Sequence, residues 1–203
     1  TAARIEQLDS RLFQEASHLA RAVNRSISPR AIRGPQAGAK QLAKWHVVGM
    51  TNYSGIFYTD PDVDLFDNPR GIPPAEGSKE YALLKHSWTK SLSSFLSSRV
   101  ELVASPDVAN VINGGVLLLR PSQRTFALGR SVLRTGRFDV RDGFNAAGPP
   151  RSTIPAKLLE RHADRWNGTL MMRSNSWNFP GGDSDQGLLC HVYLVLLRGE
   201  SFL

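Results

Sequence analysis

The chain has 203 residues, 41% of them hydrophobic, enough for one domain with a sizeable core. Its formal net charge of +7 favours anionic partners, yet no basic, aromatic-interleaved stretch reads as a nucleic-acid module, so direct nucleic-acid binding is not expected. One cysteine, Cys190, excludes an internal disulfide, and the longest apolar run, "GLLCHVYLVLL", is too short to cross a bilayer.

Ile5, Leu8, Leu12, Leu19 and Val23 recur at near-helical spacing and predict an amphipathic helix over 3–23, followed by a breaker-rich loop, "SISPRAIRGPQAG". "AKQLAKWHVVGM" (39–50) resumes a helical pattern, with Leu42, Trp45 and Val48 on one side. "GIFYT" (55–59) predicts a buried strand. It runs into "DPDVDLFDNP", where Asp60, Asp62, Asp64 and Asp67 crowd together. Such carboxylates repel one another unless a cation or hydrogen-bond donors hold them; the bland alternative is a solvated acidic turn. Asp60-Pro61-Asp62 sets two hard oxygen donors two residues apart on a turn stiffened by proline, a pattern suited to magnesium or manganese. A bare Asp-x-Asp is nevertheless common.

"SKEYALLKHSWTKSLSSFL" (78–96) predicts a helix with Ser78 as N-cap. "RVELVA" (99–104) and "GGVLLLR" (114–120) read as strands, and "SQRTFALGRSVLRTG" (122–136) as a helix with a glycine stop. Before the second of those strands, "NGG" (113–115) lets backbone come close to a ligand that Asn113 could hydrogen-bond; otherwise it is a glycine bulge with Asn113 as a turn residue. Residues 138–155 read as irregular, 156–166 as a short helix and "GTLMMRS" (168–174) as a strand. "GGDSDQG" (181–187) is an acidic, glycine-rich loop leading into an apolar helix. There Asp183 or Asp185 could cap the helix, or a carboxylate and Gln186 could bond sugar hydroxyls. Strands interleaved with helices imply an α/β domain with a mainly parallel sheet, whose ligands sit beyond the carboxyl ends of strands.

Three segments in this order resemble the family 8, glycogenin-like glycosyltransferases. They are "KQLAKWHVVGMTNYSGIFYTDPDVDLFDNP" (40–69), "ELVASPDVANVINGGVLLLRPS" (101–122) and "GGDSDQGLLCHVYL" (181–194). The resemblance spans roughly 40–136 and 181–196. It implies a single GT-A domain over 1–203: a Rossmann-like, mainly parallel sheet flanked by helices and truncated at its first strand. Residues 1–38 form an N-terminal helix and loop there, and 137–180 an insertion serving as an acceptor loop or partner surface. It also implies a retaining, metal-dependent transferase that moves a hexose from a nucleotide sugar, a UDP-sugar, to an acceptor the sequence does not name. Asp60 and Asp62 match the metal pair, holding Mn2+ or Mg2+ against the donor diphosphate. Asn113 and Gly114 match the donor-sugar contact, Asp185 and Gln186 the Asp-Gln-Gly residues beside the transferring sugar, and Lys44 approaches the phosphates. Asp64 and Asp67 have no counterpart.

Three departures set the alternative. No base-binding strand is legible in the first 35 residues, the family's closing metal-ligating histidine has no match, and some 45 residues intervene between "RTGRFD" and "GGDSDQG". The other expectation is therefore a catalytically weak or inactive GT-A domain acting as a structural subunit of a larger assembly. The compartment follows from neither reading.

Overall fold

Four consecutive strand-forming residues, Ile56–Thr59, open the sheet of this protein, described here in a computed structural model for residues 42, 44–60, 74–135, 138–144, 148–200 and 202. The expected helix over 3–23, the loop after it, and Asp62, Asp64 and Asp67 lie outside the described residues.

The first described helix, α1, is one turn, Trp45–Val48. Leu42, Trp45 and Val48 are all buried, as the spacing of 39–50 predicts. Strand β1 (Ile56–Thr59) follows, then helix α2 (Lys79–Ser97), whose N-cap Ser78 accepts the amide hydrogen of Tyr81 at 3.0 Å. Arg120 closes the other end of α2. Its Nη2 donates to the carbonyls of Phe95 (2.7 Å), Leu96 (2.9 Å) and Ser98 (3.0 Å), the acceptors a helix C-terminus leaves over. Strands β2 (Leu102–Ala104) and β3 (Val116–Leu119) complete the sheet, and α3 spans Gln123–Thr135.

The sheet order is β1-β3-β2 and both pairings are antiparallel, with Ile56 opposite Leu119 and Thr59 opposite Val116 on one side, and Leu102 opposite Leu119 on the other. The parallel pairing expected from alternating strands and helices is therefore not found between the strands of this sheet, although an isolated parallel bridge joins Leu102 to Phe202. The physical reason is the connection. β2 returns to β3 through residues 105–115, a loop without a helix, and a direct return reverses the chain. The intervening α2 does leave β1 and β2 pointing the same way, with β3 reversed between them. One sheet edge thus collects the carboxyl ends of β1 and β2 and the start of β3.

Segment 137–180, where it is described, packs into the core. Phe144, Ile154, Leu158, Trp166, Met171, Met172, Trp177 and Phe179 all join the core. Helices α4 (Pro150–Thr153), α5 (Ala156–Arg161) and α6 (Ala163–Trp166) occupy it. Residues 168–174, expected as a strand, form helix α7 (Leu170–Ser174) instead. Thr169 caps it, accepting from the amide of Met172 at 3.3 Å, and the Leu-Met-Met-Arg run that follows is made of good helix formers.

Helix α8 (Asp185–Leu189) passes directly into a π-helical stretch, Cys190–Leu196, in which Leu197 N–H reaches back five residues to the Val192 carbonyl. Neither Asp183 nor Asp185 caps α8. Ser184 holds the N-cap position without a capping bond and Asp185 is the first helical residue, its side chain turned into the protein. No helix among the described residues is long and apolar enough to cross a membrane.

Candidate functional site

β-strand side chains alternate faces, so Tyr58 and Asp60 leave β1 on the same side. The Tyr58 hydroxyl donates to Asp60 Oδ1 at 2.7 Å. The Asp60 amide continues the ladder by donating to the Gly115 carbonyl at 2.8 Å, which holds the carboxylate at the sheet edge.

Lys44 comes to the same point from the residue before α1. Trp45 seats that turn: its indole N–H donates to the Phe126 carbonyl at 3.1 Å, and the ring lies so close to Gly129 of α3 that no Cβ would fit there. Lys44 Nζ donates to Asp60 Oδ2 at 2.8 Å and to the Gly114 carbonyl at 3.4 Å. It also stands 2.8 Å from Asp185 Oδ2, closing a buried ion pair. The ammonium further lies 5.5 Å from the centre of the Tyr58 ring. Burial works against the charge on Lys44, but the Asp185 and Asp60 carboxylates outweigh it and hold its pKa above the ordinary lysine value. One ammonium against two carboxylates formally leaves one negative charge over.

Asp185 is delivered by a glycine-dependent loop. Gly181 takes a left-handed φ of +83°, and a Cβ on Gly187 would run into the backbone carbonyl of Gly182. The Ser184 hydroxyl lies 3.1 Å from Asp185 Oδ1. Gly114 is the counterpart on the β3 side: a Cβ there would lie 2.6 Å from Asp185 Oδ2. The glycine therefore lets this carboxylate reach Lys44.

The fold thus gathers Lys44, Asp60, Gly114, Asp185 and, next along α8, Gln186, from four separate segments. Asn113 sits beside Gly114, but its Oδ1 accepts the Gly115 amide at 2.6 Å, the turn role foreseen as its plainer alternative. Tyr58 and Asn110 escaped the sequence reading. The alternation of β1 is a signal that finds Tyr58. Asn110, fully buried and bonded to Gln186, has no local signal at all.

The donor chemistry bears on the implied metal. Carboxylate oxygens are the hard ligands magnesium and manganese take, and Asp60 fits as one of them. Among the described residues, however, no three His, Cys, Asp or Glu side chains stand close enough to form a metal-binding group. Behind Lys44 and Asp185 lies an apolar cavity of about 10 Å³ lined by Leu42, Val48, Leu117 and Leu188, room for at most a single water. No family model, no curated protein and no solved structure matches this chain.

Proposed function

We propose that the chain is a retaining glycosyltransferase domain that binds a nucleotide diphosphate sugar, a UDP-sugar, at the edge where β1 and β2 end. One observation supports this reading above the others. Lys44, Asp60, Gly114 and Asp185, separated by up to 141 positions, meet within one ammonium's reach, and the resemblance in sequence had selected the same residues for one site. Asp60, with Asp62, holds the divalent ion in this reading, and the single uncompensated negative charge favours its uptake. Bound there, a divalent ion supplies positive charge to the leaving diphosphate. Asp185 accepts from sugar hydroxyls in this reading, and Lys44, 2.8 Å from its Oδ2, holds that buried side chain in place.

Isothermal titration of the whole chain with UDP tests this. Heat is expected with Mn2+ and none without it, and Asp60→Asn removes the signal. Absence of heat in both conditions sinks the proposal.

A second reading has an observation of its own. Lys44 already pairs with both carboxylates, and the space behind it is nearly filled. That favours a GT-A-type domain without turnover, serving as a structural subunit. It predicts no UDP binding and elution of the native protein in a large complex.

A further inference from the structure

We infer that Asn110 is a positioning residue that sets the polarity of Gln186, holding its Oε1 inward so that Gln186 meets a ligand with its Nε2–H donors.

Carboxamides have two nearly identical ends, and only their partners say which end is which. Here the assignment follows without ambiguity. The Ile112 backbone N–H can only donate, so the Asn110 atom 2.6 Å from it is Oδ1. The other end of Asn110 is then the NH2 group, which donates to Gln186 at 2.5 Å, so the receiving atom is Oε1. The free end of Gln186 is therefore Nε2, and no hydrogen bond engages it among the described residues. Cys190 Sγ, 3.7 Å from Asn110 Oδ1, adds a weak donor that points the same way.

The clamp is rigid and dry. Asn110 has no solvent exposure, so water does not compete for its amide. Asp107 Oδ1 accepts the amides of Ala109 (2.6 Å) and Asn110 (2.7 Å), and the Asp107 amide donates to the Asn110 carbonyl at 3.0 Å. Gln186 is wedged between two glycines. A Cβ on Gly181 would stand 2.7 Å from Oε1, and one on Gly114 would stand 3.2 Å from Cγ. Beside it, Asp185 can only accept and Lys44 can only donate. Gln186 consequently offers its free donors to an oxygen lone pair on its ligand, that of a hydroxyl, ether or phosphate oxygen. That the ligand is a nucleotide sugar rests on the transferase reading; the polarity itself does not.

Two measurements on the full-length protein test the inference. The first is hydrogen exchange of side-chain amides by 15N NMR. In the wild type the Asn110 NH2 should exchange slowly and show a cross-relaxation peak to the Gln186 side chain, while the Gln186 NH2 exchanges with water. Asn110→Asp can only accept, so Gln186 must turn its NH2 inward, and that group should become protected. The second is titration with UDP and with UDP-glucose in Mn2+. Both Asn110→Asp and Gln186→Glu reverse the polarity seen by the sugar. Each should weaken UDP-glucose about tenfold and leave UDP unchanged. Fast exchange of the wild-type Asn110 NH2, or a Gln186 NH2 left exposed in the Asn110→Asp protein, overturns the inference. So does unchanged UDP-glucose affinity in both variants. If Asn110→Asp does not fold, the wild-type exchange and the Gln186→Glu titration decide alone. A correct exchange pattern in a protein that binds neither UDP nor UDP-glucose leaves the clamp standing and removes the transferase reading.

Discussion

Replacing Lys44 by methionine keeps most of the apolar stem and deletes the charge on which two carboxylates depend. Breaking a buried ion pair by removing one partner costs about 3–5 kcal/mol when the remaining charge is fully desolvated. Here the Asp185 side chain is 6% exposed, but those of Lys44 and Asp60 are 16% and 25% exposed, and water offsets part of the loss. About 2–3 kcal/mol is the expected cost. For a chain of this length that lowers Tm by about 6–9 °C. Thermal unfolding followed by circular dichroism reads it, with a double-mutant cycle against Asp185→Asn. The amide removes the stranded charge, so the double variant should recover at least about 1 kcal/mol relative to additivity. The alkaline limb supplies an independent check. Lys44 has a folded pKa above its unfolded value of 10.5, so the folded state holds this proton more tightly. Its contribution is complete below that value and is lost as pH rises through the folded pKa. K44M should lack this alkaline loss. A Tm within about 2 °C of wild type, or strictly additive single losses, would refute the view that Lys44 holds the site together.

Gly187→Ala places a methyl against the Gly182 carbonyl, backbone against backbone, and should cost at least about 4 kcal/mol, read as a fall in the urea midpoint or as loss of soluble protein. His191 tests the core beneath the site. It is buried, its Nδ1 has no partner among the described residues, and burial depresses its pKa from 6.5 to about 4. The unfolded chain takes up this proton first on acidification, so stability present above pH 6.5 is lost as pH falls towards 4, by up to about 3 kcal/mol. Urea titrations across that range should show a weaker acid dependence for His191→Phe, and an unchanged slope would mean that another group carries it.

Local patterns carried much of the secondary structure. The apolar spacing of Leu42, Trp45 and Val48, the cap at Ser78 and the strand-forming run Ile56–Thr59 each act within a few residues, so the order of residues alone specifies them. The glycines of "GGDSDQG" were visible too, although only the packed structure shows that Gly187 makes room for a carbonyl. Strand direction was not legible. Nothing local distinguishes β3 lying reversed between β1 and β2 from a parallel neighbour, because pairing is decided by how the 105–115 loop returns and by which face buries Leu117 and Leu119. Helix α7 was hidden for a related reason: the short apolar run Leu170-Met171-Met172 suits either period until its cap and its neighbours choose.

The site divides along the same line. The sequence by itself singled out Lys44, Asp60, Asp185 and Gln186 as side chains of interest and showed the glycines near Asp185 and Gln186. Only the tertiary structure decided that one ammonium spans two of those carboxylates, that Asn113 spends its oxygen on a turn, and that buried Asn110 turns Gln186 into a donor. Hydrogen bonds and ion pairs act over about 3 Å in space, whatever the separation along the chain, and periodicity carries no record of them.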